Sequence, residues 1–134
     1  MTANIAVVDT NVVSYVFKND TRAELYEPVL DGKLLMIAAQ TLAELELMPL
    51  VNNWKKKRHA ALRSFLKKFV LVEATETVCL SWAEIQAGAK RTGHPISVGD
   101  TWIAATALAY DVPLVTHNLR DFQNAPGLML ISKG

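Results

Sequence analysis

The sequence lacks features that mark several common classes of protein. It contains one cysteine, Cys79, which excludes an internal disulfide framework and favours a reducing compartment. Its longest apolar stretch runs from Trp102 to Tyr110 and is far too short to span a bilayer. The formal net charge is only +1, so no overall field directs the chain to nucleic acid or to a membrane. Neither a G-x-G-x-x-G motif nor a P-loop lysine motif occurs, which argues against a nucleotide-binding enzyme.

The composition that remains is that of an ordinary globular protein. Of the 134 residues, 51% are hydrophobic and 20% are charged, which is enough apolar material for a sizeable core. We therefore expect a single domain over residues 1–134. The amino terminus, Met1 to Asn4, lacks the basic and apolar regions of a signal peptide, so we expect a cytoplasmic protein. Cys79 has apolar neighbours in a helix and is expected in the core.

Short apolar runs alternate with segments of helical periodicity along the whole chain. This alternation predicts an α/β fold, with a mainly parallel five-stranded sheet and helices on both faces. The predicted strands are Ile5–Val8, Leu34–Ala39, Phe69–Val72, Leu114–Thr116 and Leu128–Ile131. The predicted helices are 10–17, a helix ending near 30, one that begins at 41, 54–68, one from 75 or 77 to 93, and 102–109.

Acidic residues stand at or just beyond the ends of several predicted strands. Asp9 follows the first strand, and Glu44 lies one turn into the helix after the second. Asp100 begins a nearly all-apolar helix, and Asp121 lies in the loop after the fourth strand. Parallel strands end at one edge of the sheet, so these four carboxylates can converge there. Because like charges repel, such a group is stabilised by a divalent cation, and oxygen ligands suit Mg²⁺ or Mn²⁺.

Each of these acids also has a purely structural interpretation. Asp9 and Asp100 are favoured residues for capping the helices that follow them. Thr41-x-x-Glu44 is a capping box, in which the glutamate bonds back to the backbone N–H of the cap residue. Asp121 can simply be a solvated loop residue. On spacing alone, the capping interpretation is the stronger one for Glu44.

The segments that carry the acids resemble the motifs of the PIN-domain nucleases. The length of the chain resembles that of the VapC-type toxins of toxin–antitoxin pairs, and the resemblance runs from Ile5 to about Leu130. The four segments, in order, are Val8-Asp9-Thr10-Asn11, Thr41-Leu42-Ala43-Glu44-Leu45, Asp100-Thr101-Trp102-Ile103-Ala104-Ala105 and Thr116-His117-Asn118-Leu119-Arg120-Asp121-Phe122. No motif is specific alone, but the four in this order are.

The resemblance implies a three-layer α/β/α sandwich and a Mg²⁺- or Mn²⁺-dependent endoribonuclease. It also implies a homodimer, held inactive by a small antitoxin that inserts a segment into the acidic groove. Matched by position, the catalytic acids are Asp9, Glu44, Asp100 and the more variable Asp121, with Asp9 and Asp100 as metal ligands. Thr10, Asn11, Thr116 and Asn118 match polar residues that orient the acids or waters. Many relatives have a small residue after Leu45, where this chain has Glu46, a spare acid.

A basic cluster, Lys55-Lys56-Lys57-Arg58, precedes the fourth predicted helix. One interpretation is a rim that binds RNA phosphates, which would make binding depend on salt. The other is the solvated face of an amphipathic helix. His117, next to the proposed site, also has two interpretations. It contacts the substrate, or it is a loop residue without a role.

Three other functions are alternatives to a nuclease. A haloacid-dehalogenase-type phosphatase needs a second aspartate two positions after Asp9, where this chain has Asn11. A receiver-like domain needs an aspartate after a central strand, and the third strand leads into Glu73 instead. A catalytically degenerate PIN scaffold that binds RNA or protein without cutting is the main alternative to the nuclease, although the presence of all four acids argues against it.

Overall fold

The computed structural model of the protein describes residues 4–134. The expectation about the leader rests partly on Met1 to Ala3, which lie outside the described residues. The described chain contains five strands, each a short apolar run as predicted. They are β1 (Ile5–Val8), β2 (Leu34–Ala38), β3 (Val70–Val72), β4 (Leu114–Val115) and β5 (Leu130–Ile131).

All five strands pair in parallel in one sheet, in the order β3-β2-β1-β4-β5. The central strand β1 pairs with β2, where Val7 lies beside Met36, and with β4, where Val8 lies beside Val115. The chain first builds outward from β1 through β2 and β3. It then returns to add β4 and β5 on the other side. The strand order therefore reverses between β1 and β4, and this reversal positions the site described below.

Within residues 4–134, seven helices join the strands. They are α1 (Thr10–Lys18), α2 (Ala23–Leu30), α3 (Ala39–Val51), α4 (Lys56–Leu66), α5 (Glu76–Thr92), α6 (Val98–Tyr110) and α7 (Leu119–Phe122). The bounds of α5 follow from local signals. The Thr75 hydroxyl accepts a hydrogen bond from the backbone N–H of Val78, and Gly93 ends the helix in the left-handed conformation, with φ of 72°. No helix among residues 4–134 is both long enough and apolar enough to cross a membrane.

The two faces of the sheet bury separate hydrophobic cores, because successive strand residues point to opposite sides. Val7 and Met36 face a core completed by α5 and α6, to which Ile103 contributes. Ala6 and Val8 face a second core, completed by side chains of α1 to α4. The chain is thus the predicted three-layer α/β/α sandwich. The residues of β1 from Ala6 to Val8 are fully buried, as expected of a strand covered on both faces.

The structure corrects three local predictions. Helix α3 begins at Ala39 rather than at Thr41, because the chain turns into the helix directly from β2. Helix α6 begins at Val98 with Ser97 as its cap, so Asp100 lies inside the first turn. Cys79 is exposed rather than in the core, because the buried face of α5 is formed by its neighbour Val78 and the residues in register with it.

Candidate functional site

Asp9 lies in the crevice where the strand order reverses. It is the first residue after β1, and its backbone N–H donates to the carbonyl oxygen of Val115 at the end of β4. Ligands of open parallel sheets bind in this crevice, beyond the carboxyl ends of the strands. We call this side of the sheet the carboxyl edge. The position of Asp9 there depends on β4 being the neighbour of β1.

Both oxygens of the Asp9 carboxylate accept hydrogen bonds inside the protein. The backbone N–H of Thr10 donates to Oδ1 at 2.8 Å, and the hydroxyl of Thr116 donates to Oδ2 at 2.7 Å. The side chain is only 5% exposed. Burial raises the pKa of Asp9 from 3.8 to about 6; the two hydrogen bonds oppose the rise, and the nearby charges of Asp100 and Glu44 add to it. Asp9 therefore caps α1, but its burial also makes its ionised form energetically unfavourable.

The structure contradicts the capping-box interpretation of Glu44. The cap position of α3 is Ala38, three residues before the Thr41 cap that a box would need, and no side chain caps the helix. Glu44 instead accepts hydrogen bonds from two other side chains. The Thr10 hydroxyl donates to Oε1, and the amide of Gln40 donates to Oε2 at 3.3 Å. Thr10 thus holds two acids, Asp9 through its backbone and Glu44 through its side chain.

Asp100 reaches the same edge from the first turn of α6. Its backbone N–H donates to the hydroxyl of Ser97 at 3.1 Å. The pKa of Asp100 is raised, mainly because burial disfavours its charge and further because Asp121 and Glu44 are negative; the interaction with Ser97 opposes the rise. Asp121 lies in the short helix α7 and is exposed. The negative charge of Glu44 thus acts on both Asp9 and Asp100, and that of Asp121 acts on Asp100, so the four predicted acids lie at one edge of the sheet.

The predicted supporting residues act in different ways. Thr116 is fully buried and accepts from the backbone N–H of Asn118 at 3.0 Å while it donates to Asp9. Asn118 thus contributes through its backbone, and its side chain is exposed. The side-chain oxygen of Asn11 accepts from the backbone N–H of His117 at 3.4 Å and so ties α1 to the loop after β4. The Nδ1 atom of His117 is hydrogen-bonded to the hydroxyl of Tyr26 at 2.6 Å.

Asp9 and Asp100 are the residues that could hold a divalent cation at this edge. Within residues 4–134, no three Asp, Glu, His or Cys side chains form a group that could hold a metal ion. Burial raises the pKa values of Asp9 and Asp100. Glu44 accepts hydrogen bonds from Thr10 and Gln40. Two hard oxygen ligands whose charges are poorly solvated suit Mg²⁺ or Mn²⁺, since Mg²⁺ is commonly held by one or two carboxylates and keeps its remaining waters.

The basic cluster and the spare acid make their contacts around α4. Lys55, Lys56, Lys57 and Arg58 are exposed at the start of α4, and the Arg58 guanidinium lies 3.8 Å from the centre of the Trp54 ring. Glu46 contacts two side chains of α4, His59 and Arg63, neither of which was predicted to be its partner. Hydrogen bonds from these two residues, chiefly from His59, lower the pKa of Glu46.

Three residues that shape the site are not among those predicted from the sequence. Gln40 binds Glu44, and nothing in the local sequence marks it. Gly99 lies so close to α3 that a Cβ atom built on it would be 3.0 Å from the Gln40 amide nitrogen and 3.6 Å from the Glu44 Oε2 atom. Ser97 could have been found, because Ser97-x-x-Asp100 has the spacing of an N-terminal helix cap.

Comparison with known proteins supports the same family from sequence and from fold. The sequence model of the PIN domain matches residues 6–128. Ribonuclease VapC1 of Haemophilus influenzae is 29% identical over 126 residues, which cover 92% of this chain and 94% of that protein. VapBC-1 from nontypeable Haemophilus influenzae has a TM-score of 0.82 and 28% identity, over 96% of this chain and 97% of that chain. VapBC2 of Rickettsia felis bound to promoter DNA has a TM-score of 0.85 and 23% identity, over 97% and 99%.

Proposed function

This chain belongs to the PIN domain family, and we propose that it is a metal-dependent endoribonuclease and the toxin of a toxin–antitoxin pair. Several relatives of similar length bear the name Ribonuclease VapC, and one from Salmonella typhimurium is named a tRNA(fMet)-specific endonuclease. The observation that carries the proposal is the burial of Asp9 beside Asp100 and Glu44 at the carboxyl edge. A protein that needed Asp9 only as a helix cap would not gain from placing two more acids near it.

The residues of the chain have separate roles in this proposal. Asp9 and Asp100 supply the ligands for Mg²⁺ or Mn²⁺, which when bound activates water and offsets the charge that develops on a phosphodiester. Thr116 keeps Asp9 oriented and favours its ionised form. Thr10 and Gln40 hold Glu44 near Asp9, where it can orient a water molecule. Asp121 is the exposed fourth acid and adds to the negative field at Asp100.

The substrate proposed is single-stranded or looped RNA, because the bases and backbone of such RNA are accessible. Its negative backbone needs a positive surface on this nearly neutral protein. The exposed cluster Lys55 to Arg58 on α4 is the candidate for that surface. We further propose that residues 1–134 form one domain that works in the cytoplasm.

Two protein partners are proposed with the activity. Solved neighbours from Rickettsia felis and Haemophilus influenzae are named as VapBC complexes, and a small antitoxin is the corresponding partner here. The homodimer has a candidate surface on α3, where Leu47, Leu50 and Val51 are 54%, 69% and 63% exposed. Three large apolar residues on one helical face are an unusual solvent-facing arrangement, and they suit contact with a second protein surface.

The test is cleavage of mixed cellular RNA by purified protein freed of any bound antitoxin, with Mg²⁺, with Mn²⁺ and with a chelator. We expect cleavage with either metal, none with the chelator, and a loss of about 10²-fold or more in Asp9→Asn and Asp100→Asn, as is usual for removal of a group that acts on developing charge. Equal cutting by wild type and both variants would contradict the nuclease proposal.

A degenerate scaffold that binds without cutting is the second candidate. The observation in its favour is the lack, within residues 4–134, of a three-residue group ready to hold a metal ion. The same experiment separates the two candidates. A scaffold would retain RNA or protein binding in wild type and in both variants, and it would show no metal-dependent product.

A further inference from the structure

A pocket of about 290 Å³ opens at the carboxyl edge beside the acids. It lies between α3 and α6 and reaches the ends of β2 and β3. Small apolar side chains and one indole ring form most of its wall, and one amide is its main polar group. Its lining includes Gln40, Ala43, Val72, Ala74, Val78 and Trp102. None of them belongs to the set of acids and their supports predicted from sequence.

Gln40 forms a wall shared by this pocket and the acidic crevice. Its side chain lines the pocket, and its amide nitrogen donates to Oε2 of Glu44 at 3.3 Å. Helix α6 presses against the same side chain through Gly99, where a Cβ atom would stand 3.0 Å from the Gln40 nitrogen. A group seated in the pocket would therefore be separated from the carboxylate of Glu44 by a single side chain.

The chemistry of the wall suits a flat ring with a polar edge. A glutamine amide has two donor hydrogens and an acceptor oxygen, and Glu44 uses only one hydrogen. One donor and one acceptor remain, the pattern with which glutamine pairs with the edges of bases. An aliphatic side chain in the pocket would leave these groups without partners, which costs binding energy. The volume is near the lower end for ligand pockets, which suits one ring system rather than an extended chain.

We propose that this pocket binds one nucleobase of single-stranded RNA, next to the phosphodiester that lies at the acids. This inference rests on the proposed function and adds a base preference to it. Single-stranded RNA is recognised through unstacked bases that pack on aromatic side chains and hydrogen-bond through their edges. A strand that follows the carboxyl edge past Asp9 and Glu44 meets the pocket on the β2–β3 side, so the base beside the cut enters it.

Two alanines allow the pocket to be filled without changing any acid. Ala43 on α3 and Ala74 after β3 both line it and are exposed at its rim. Ala43→Leu and Ala74→Leu fill it from two different elements, so a shared effect cannot come from a local change in α3. Ala83 is an exposed alanine on α5 that does not line this pocket, and Ala83→Leu is the matched control. Urea unfolding midpoints show whether each variant folds.

The first measurement is binding of adenosine, guanosine, cytidine and uridine by NMR titration in metal-free buffer. Nucleosides lack phosphate, so their binding reports the base and not the acids. We expect wild type and Ala83→Leu to bind at least one nucleoside, with shifts of the Trp102 indole and Gln40 amide signals. The two filled variants should bind about tenfold more weakly, the loss expected for one stacked base. Unchanged binding in both filled variants, or no binding by wild type, overturns the proposal.

The second measurement is cleavage of RNA with random bases around the cut. Wild type should prefer certain bases at one position beside the cut, and the filled variants should lose this preference through KM rather than kcat. RNA cut with the same preference by all variants refutes the pocket and leaves the nuclease proposal standing. Nucleoside binding without any cutting refutes the nuclease and leaves the pocket. Filled variants that bind RNA normally but lose the antitoxin would show that the occupant is a peptide, against the proposal.

Discussion

The burial of Asp9 predicts that Asp9→Asn changes the stability of the fold in opposite directions at low pH and at neutral pH. Its pKa is raised from 3.8 to about 6, chiefly because burial penalises the charged form. A carboxyl group with a higher pKa in the folded chain than in the unfolded chain binds its proton more tightly when folded. Its favourable contribution is therefore present at low pH and is lost as the pH rises from about 4 to about 6. Above that range, the ionised Asp9 weakens the fold when no cation is bound.

The magnitude follows from the pKa and from the two hydrogen bonds. A change of pKa from 3.8 to about 6 corresponds to about 3 kcal/mol of unfolding free energy at pH 7. Asp9→Asn removes this cost. It also replaces one carboxylate oxygen with an amide nitrogen, so either Thr10 or Thr116 loses an acceptor, at about 1 kcal/mol. The variant should be more stable than wild type by about 2 kcal/mol at pH 7, and less stable by about 1 kcal/mol at pH 4.

The assay is urea unfolding between pH 4 and pH 8, at one protein concentration and with a chelator present. Asp31→Asn is the control, because Asp31 is exposed at the end of α2. Its curve should follow that of wild type at every pH. If Asp9→Asn lowers stability by the same amount at pH 4 and pH 7, burial does not penalise the charge of Asp9, and this reasoning is wrong.

Adding Mg²⁺ extends the same experiment to the cation. A ligand that binds only the folded chain stabilises it in proportion to the logarithm of its concentration. Wild type at pH 7 should gain stability with Mg²⁺, and Asp9→Asn should gain much less. Equal gains in both proteins would place the cation somewhere other than Asp9.

Three further variants test the contacts around the acids. Thr116→Val removes a hydrogen bond that favours ionised Asp9. Cleavage should therefore fall more at pH 6 than at pH 8. An equal loss at both pH values would refute the role of the hydroxyl. Gly99→Ala should lower kcat several-fold with little loss of stability, because the Gln40 amide must move by a few tenths of an ångström; unchanged cleavage kinetics would show that this close approach does not matter. Glu46→Gln should leave cleavage within about twofold, because its carboxylate bonds to His59 and Arg63 of α4 rather than to the other acids. A large loss would place Glu46 in the site.

The strands and the family were readable from the sequence because their signals are local. Each strand is a short apolar run, and the helix between Thr75 and Gly93 is bounded by its own cap and stop residues. The motifs around Asp9 and Asp100 also lie within a few consecutive residues, so they could be recognised without a structure. Where a local signal was ambiguous, prediction failed: the spacing of Thr41 and Glu44 fits a capping box, but the chain does not form one.

The sequence by itself determined that the acids stand near the carboxyl ends of parallel strands, because alternating strands and helices leave each connection at the same edge. Only the tertiary structure decided which groups hold them. Thr116 donates to Asp9 across 107 residues of chain, since β4 pairs with β1. Gln40 becomes a wall between Glu44 and the pocket because α6 packs against α3 at Gly99. Such contacts depend on strand order and on packing between distant segments, which no short stretch of sequence encodes.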